Sequence, residues 1–440
     1  NLTGYGSYTS TGRNIIGNVY GGGRGVDLTN NYISRTAGQV HGSTHITVTG
    51  GHIYHNIYGG GSLASVGDTA ATIGGGYATF VDTVTGHYVA LDDTTLAAYE
   101  AGAANGHAYI YIGGGKIGVD GNNNGRIFGS GRGMAGMSGL NDYTNHTYVT
   151  GSHIVVNYTT PVDSTTHYPD DRTTTYGSSS VMDTTTYYRN LTKAAFENYD
   201  YITGCVFGGG DNGHVRGNTE VVIKEGRIGT QTSNVAGNVF GGGRGVDFGV
   251  NGQYSETAGR VYGNTNVTVD GGWILHAVYG GGNMASVGEF EVTLSGVDAG
   301  HENDKDLWLD GEGIVESYTV NGGTCTVTVN GGRIGEKYSD IMSGDSVISG
   351  MDRRNANLGG NVFGSSRGLS SSSTLVNRMA WCNQTVVTVN GGEVAGSVFG
   401  GGENGHTFYT ATVNIAGGTV GVPNTATSGD IFRGNVYGGG

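Results

Sequence analysis

Residues 238–247 read NVFGGGRGVD, and residues 264–282 read NTNVTVDGGWILHAVYGGG. In the second stretch Val267 and Val269 alternate with Asn266 and Thr268, the period of a strand with one buried face. Gly271–Gly272 follow, and glycine adopts the positive φ that a tight corner needs. A Val–aromatic pair, Val278–Tyr279, then runs into three more glycines. Short β-branched strands separated by glycine corners are the grammar of this chain.

Working outward, the aromatic phrase occurs nine times: VYGGG at Tyr20, IYGGG at Tyr58, IFGSG at Phe128, VFGGG at Phe207, Phe240 and Phe399, VYGGG at Tyr279 and Tyr437, and VFGSS at Phe363. A Thr-Val phrase sits in each interval, as in ITVTGGHI from Ile46, YIYIGGGKI from Tyr109, VVIKEGRI from Val221, VTVNGGRI from Val327, VVTVNGGEV from Val386 and TVNIAGGTV from Thr412. The copy at HIVVNY, from His153, lacks the glycine corner. Four different suffixes follow the rings in one order, twice over. GGGRGVD recurs at Gly21 and Gly241, GGGSLASVGD and GGGNMASVGE at Gly59 and Gly280, GSGRGM and GSSRGL at Gly129 and Gly364, and GGGDNGH and GGGENGH at Gly208 and Gly400. The organisation that follows is the end of a preceding coil at 1–17, a four-coil cassette at 18–237, a second at 238–434, and the start of a third at 435–440.

No single unit can bury its apolar face alone; stacking equivalent units does so and pairs each strand with the next unit. The pattern therefore predicts an all-β right-handed parallel β-helix, a solenoid of about eight coils with loop insertions. Three strands per coil are expected: the aromatic phrase, a Val261–Tyr262 type strand and the Thr-Val strand. At about 4.8 Å per coil the rod is roughly 40 Å long. The shortest ring-to-ring interval is 33 residues, from Phe207 to Phe240; intervals of this size also accommodate two coils. The nine rings are expected to stack in one row. Insertions are placed at 76–106, 134–152, 159–203, 289–323, 336–358 and 368–383, with short helical turns expected at 92–104 and 193–199.

Composition limits the alternatives. Of 440 residues 88 are Gly, charged residues are 13% and apolar residues 36%, low values that would suit disorder without the repeat. Gly-X-Y periodicity is absent, which excludes collagen, and apolar runs are too short for membrane insertion of this segment. The net charge of −14 and the scattered basic residues disfavour nucleic acid and anionic membranes. No signal-peptide pattern opens the chain; a start inside a repeat makes that uninformative about compartment. Cys205, Cys325 and Cys382 form neither a disulfide framework nor a zinc pattern and read as packing residues.

The pairing of VFGGG with GNTNVTVDGG resembles the Gly-rich repeats of adhesin-like, pectate-lyase-like β-helix surface proteins of gut Bacteroidetes and some Firmicutes. The resemblance covers all nine aromatic phrases and all but one Thr-Val phrase; the insertions have no counterpart. It implies an extracellular or cell-surface location, a structural or adhesive role and no catalytic residues to carry over.

Candidate chemistry competes with plainer readings. GGGRGVD, with Asp27 and Asp247, is similar to a calcium-binding nonapeptide, but such sites need tandem nine-residue copies, and turn capping accounts for the phrase. Asp211 with His214, and Glu403 with His406, put carboxylate and imidazole on one corner, where Asn-Gly turn chemistry is also sufficient. These six residues are the candidate metal ligands, with Ca²⁺ the one cofactor considered. His41, His45, His52 and His55 correspond to Tyr262, Asn266, Trp273 and His276 in the second cassette, which argues against a shared metal site. GRGMAG at Gly131 is not followed by a helix pattern, and Ser366 of GSSRG stands where the other cassette has Gly131, so neither a dinucleotide loop nor a nucleophile elbow is read. An Asp-Ser/Thr-aliphatic rule that resembles Bacteroidetes-type O-glycosylation is met at Thr69, Thr83, Thr94, Ser164, Thr184 and Ser346.

The expected function is a non-enzymatic rigid stalk displaying Tyr- and Thr-rich loops to glycans, host proteins or sibling surface proteins. The rivals are a self-assembling filament subunit with end-to-end association, and a carbohydrate-active β-helix lyase or hydrolase. No acidic pair recurs at one-coil spacing on a strand face, which disfavours the enzyme.

Overall fold

A computed structural model describes residues 6–10, 14–25, 37–67, 79–81, 88–90, 106–119, 122–133, 147–158, 201–230, 236–245, 257–304, 312–335, 342–343, 346–347, 359–370, 378–421 and 434–439. These residues are all-β, with no α-helix among them, and the long sheets are parallel. The architecture is of the β-helix kind.

The largest sheet starts with Gly6–Ser10 and then takes one strand from each Thr-Val phrase in chain order: Thr44–Ile53, His107–Ile117, Gly151–Asn157, Thr219–Glu225, Thr265–Val269, Thr324–Val329, Trp381–Val389 and His406–Ile415. Identical positions meet across it, as in Val221↔Val267↔Val327↔Val387. The alternation read from the sequence is realised: Val267 and Val269 are fully buried, while Asn266 and Thr268 are half-buried. A second sheet joins all nine aromatic phrases, each a two-residue strand paired to the next, from Val19–Tyr20 to Val436–Tyr437.

The third face differs from expectation. The expected Val261–Tyr262 type strand forms only in part: Tyr148–Val149 pairs in parallel with His214–Val215, whereas Val261–Tyr262 itself forms no strand and Val261 makes single bridges to Val215 and Val287. A sheet forms instead from Arg227–Ile228, Trp273–Ile274, Arg333–Ile334, Glu393–Val394 and Thr419–Val420, which the sequence reading took as the tail of the Thr-Val phrase. The cause lies in the glycine pair. Gly332, at φ +72, bends the chain between Val329 and Ile334, a conformation that a Cβ would disfavour. A Cβ there would also lie 2.6 Å from the backbone of Gly271 in the preceding interval.

The interior is a column of aliphatic side chains from all three sheets, including Ile228, Val239, Val267, Ile274 and Val278. Hydroxyls tie the column at one edge. Thr44, Thr219, Thr265 and Thr385 donate to the carbonyls of Gly59, Gly241, Gly280 and Gly400 at 2.5–2.6 Å. These buried hydroxyls are thereby satisfied, which removes a desolvation cost of about 1–3 kcal/mol each. Cys325 occupies the same register between Thr265 and Thr385, and all three cysteines are free thiols buried in packed clusters.

Several insertion limits move. Val149, Ile202 and Cys382 are buried members of the ladder, so 134–152, 159–203 and 368–383 each overran it. In the HIVVNY copy Tyr158 replaces the glycine corner, and its hydroxyl donates to Gly115 O at 2.9 Å. Ile202, beyond the insertion, bridges Ile117 to Ile228 and completes the third face. Where insertions are described they form antiparallel pairs: Thr79–Val81 with Tyr88–Ala90, Glu289–Ser295 with Ile314–Asn321, and Met342–Ser343 with Ser346–Val347. The helical turns expected at 92–104 and 193–199 lie outside the described residues.

Candidate functional site

The rings of Tyr20, Tyr58, Phe128, Phe207, Phe240, Tyr279, Phe363, Phe399 and Tyr437 stack in one row, with centroids 4.7–5.0 Å apart and planes within 13°. From Val19 to Val398 the residue before each ring points into the aliphatic column, while Val436, before the last ring, is exposed. The ring, one position on, takes the opposite face and builds a separate cluster. Rings from Tyr58 to Phe363 are buried, Tyr20 and Phe399 are half-buried, and Tyr437 is 45% exposed.

Polar groups border this row. The Tyr58 hydroxyl donates to Asp211 Oδ2 at 3.3 Å, and Arg244 Nη1 lies 3.0 Å from Asp211 Oδ1. The Tyr279 hydroxyl donates to Glu403 Oε2 at 2.5 Å, with Arg367 Nε 3.5 Å from the same oxygen. Burial, and then the neighbouring carboxylate, push the pKa of both phenols up. The histidines of the expected corner pairs turn elsewhere. His214 is buried with its ring tilted on Tyr262, and His406 stacks on Trp381 at 4.7 Å. Among the described residues no group of three or more His, Cys, Asp or Glu side chains could hold a metal ion. Asp27, Asp247, Thr69, Thr83, Thr94, Ser164 and Thr184 lie outside the described residues, and Ser346 lies in the short strand Ser346–Val347.

The other singled-out positions are dispersed. His45 stacks on Tyr109, while His52 stacks on Tyr54 and its Nε2 donates to Gly118 O at 2.8 Å. Ser366 is buried, and its Oγ accepts from Gly282 N at 3.0 Å, as a corner residue should.

One surface was not anticipated residue by residue. The hairpin of Glu289–Ser295 and Ile314–Asn321 leans over the start of the two strands that begin at Trp381 and His406. Phe290 stacks on Phe408 at 4.7 Å and tilts on Trp381 at 5.5 Å. Tyr318 meets Phe408 edge-on at 5.0 Å and Tyr409 at 5.8 Å. Asn383 fastens the hairpin: its Nδ2 donates to Glu289 O at 3.0 Å and Gly322 O at 2.8 Å. Within this patch Tyr318 is 42% and Tyr409 62% exposed. The signal for it was the strand-like alternation of EFEVTLS and IVESYTVN inside an insertion.

A polar line lies on the same sheet at the other end. His107 Nδ1 is 3.0 Å from His153 Nε2, and His153 Nδ1 is 3.1 Å from Glu220 Oε2. No protein-family model, curated protein or solved structure matches the chain.

Proposed function

We propose that the chain is a rigid, non-enzymatic structural and adhesive segment of an extracellular or cell-surface repeat protein, built as a right-handed parallel β-helix of about eight coils. Direct pairing of consecutive aromatic phrases, as in Val206↔Val239 and Val239↔Val278, supports one coil per interval. The hand follows from the strong right-handed preference of parallel crossovers. A ladder of this kind holds each inserted loop at a fixed height, and loops on a rigid scaffold are where binding concentrates.

The adhesive surface is the ring patch of Phe290, Tyr318, Trp381, Phe408 and Tyr409, and its ligand is a glycan. The observation that carries this is the partial exposure of Tyr318 and Tyr409 beside three rings that fix their positions. Phenol rings offer a flat apolar face and a polar tip, which suits the C–H face and hydroxyls of a sugar ring.

The test is retention of the protein on a panel of neutral polysaccharides, alongside Tyr318→Ala and Tyr409→Ala. The parent is expected to be retained, and each variant to bind at least about tenfold more weakly with unchanged β-type circular dichroism. Equal binding by the double variant would remove the patch as the adhesive surface. Release of shortened sugar chains would overturn the non-enzymatic reading.

A further inference from the structure

The line of His107, His153 and Glu220 is built by three adjoining strands of the largest sheet, His107–Ile117, Gly151–Asn157 and Thr219–Glu225. Gly151 is the register partner of His107, and Glu220 that of His153, so the two imidazoles are diagonal neighbours on one face. Gly151 is what lets them meet. A Cβ built on it would lie 2.7 Å from both Cε1 and Nδ1 of His107. The His107 ring thus fills the space that a side chain at 151 would take, and its Nδ1 comes to 3.0 Å from His153 Nε2. Tyr109 stacks on His153 at 4.8 Å with the planes 10° apart and holds that ring in place. Both histidines are half-buried, so the pair is open to solvent.

The far end of the line assigns its protons. A carboxylate accepts and does not donate, so His153 Nδ1 donates to Glu220 Oε2 at 3.1 Å. In the neutral ring Nε2 is then the acceptor, and its lone pair is the one that faces His107. A histidine that ligates a metal commonly gives its other N–H to a carboxylate, which fixes the tautomer and raises the basicity of the ligating nitrogen. The ladder itself does not call for these residues. In the second cassette the same places hold Thr324, Gln384, Val386 and Thr412, and the strands there keep the same parallel pairing.

We propose that His107 Nδ1 and His153 Nε2 form a binding site for a divalent transition-metal ion of the Zn²⁺ and Cu²⁺ class, with Glu220 as the outer partner of His153. Two nitrogens each about 2.0–2.1 Å from one ion stand roughly 3 Å apart, the separation already present here. On binding, His107 moves its ring proton from Nδ1 to Nε2 through solvent, so both ligands stay neutral and no proton is lost overall. The ligand set is two imidazoles, short of the three-ligand groups that the described residues lack; water completes the coordination and leaves the ion exchangeable. Imidazole suits Zn²⁺ and Cu²⁺, whereas Ca²⁺ and Mg²⁺ take oxygen ligands. The site is independent of the ring patch on the hairpin.

The experiment is calorimetric titration of the chain with Zn²⁺, and electron paramagnetic resonance of the chain loaded with one equivalent of Cu²⁺. The parent is expected to bind Zn²⁺ without displacement by excess Ca²⁺, and to give a Cu²⁺ spectrum with imidazole nitrogen couplings. His107→Asn and His153→Asn should each weaken binding at least about tenfold, and Glu220→Gln about tenfold. Gly151→Ala keeps both ligands but displaces the His107 ring, and should weaken binding as well. His52→Asn, whose ring stacks on Tyr54 instead, should leave it unchanged. No Zn²⁺ binding by the parent would overturn the proposal. So would binding, or a Cu²⁺ spectrum, that the His107→Asn/His153→Asn double variant leaves as in the parent with unaltered circular dichroism.

Discussion

The hydroxyl of Tyr279 donates to the carboxylate of Glu403 at 2.5 Å across 124 residues of sequence. Tyr58 and Asp211 repeat the arrangement at 3.3 Å across 153 residues. The two pairs join the second suffix of each cassette to the fourth, so the order of suffixes has a structural counterpart.

This arrangement fixes how stability responds to alkali. Burial and the carboxylates raise the folded pKa of both phenols above the ordinary value of 10.0. A raised pKa contributes stability that is fully present below the unfolded pKa and is lost as pH rises through the folded one. Denaturant melts should therefore show stability falling above about pH 10, by up to ~1.4 kcal/mol per pH unit for each tyrosine. Tyr58→Phe with Tyr279→Phe should flatten that slope; an unchanged slope would show that other groups set it.

Phe240 sits between Phe207 and Tyr279 at 4.7 Å on either side and is buried. Phe240→Ala should cost roughly 3–5 kcal/mol. Each rung contacts its immediate neighbours, so the loss should stay local. Hydrogen exchange should quicken near 206–210 and 278–282 and change little near Val394 and Val48.

Glycine positions separate by geometry. Gly332→Ala meets both a positive φ and the backbone of Gly271 at 2.6 Å, whereas Gly296→Ala meets a positive φ of +73 with nothing within 4 Å. The second should cost about 1–2 kcal/mol and the first clearly more, because main chain must shift. Thermal melts of the two variants decide the order.

Cys205, Cys325 and Cys382 are free and buried. A thiol reagent added to native, reduced protein should find almost no reactive thiol, and should find all three after denaturation. Rapid labelling of the native protein would contradict the packing described for them.

Much of this was legible before any coordinates. The Thr-Val alternation and the nine rings define two of the three long sheets, because period-two burial and glycine corners leave a direct trace in sequence. The third sheet was not legible. Arg227–Ile228 and its equivalents are two residues long, too short to show a period, and a glycine pair alone does not say which way the chain turns. The ring patch was missed because Phe290 and Tyr318 lie in an insertion without repeats, and Trp381 and Phe408 become neighbours of the hairpin through long-range pairing. The carboxylates Asp211 and Glu403 were singled out, but their partners are a tyrosine and an arginine from other intervals rather than the histidines three residues away.

The most direct test of a ladder with one rung per interval is the distance between its ends. Spin labels at Ile16→Cys and Tyr437→Cys, both exposed positions beside buried native thiols, span the eight intervals between Tyr20 and Tyr437. At about 4.8 Å per rung the account predicts a narrow distribution centred near 40 Å by pulsed dipolar spectroscopy. A separation near 80 Å, as two coils per interval would give, or a broad short distribution from a collapsed chain, would contradict it.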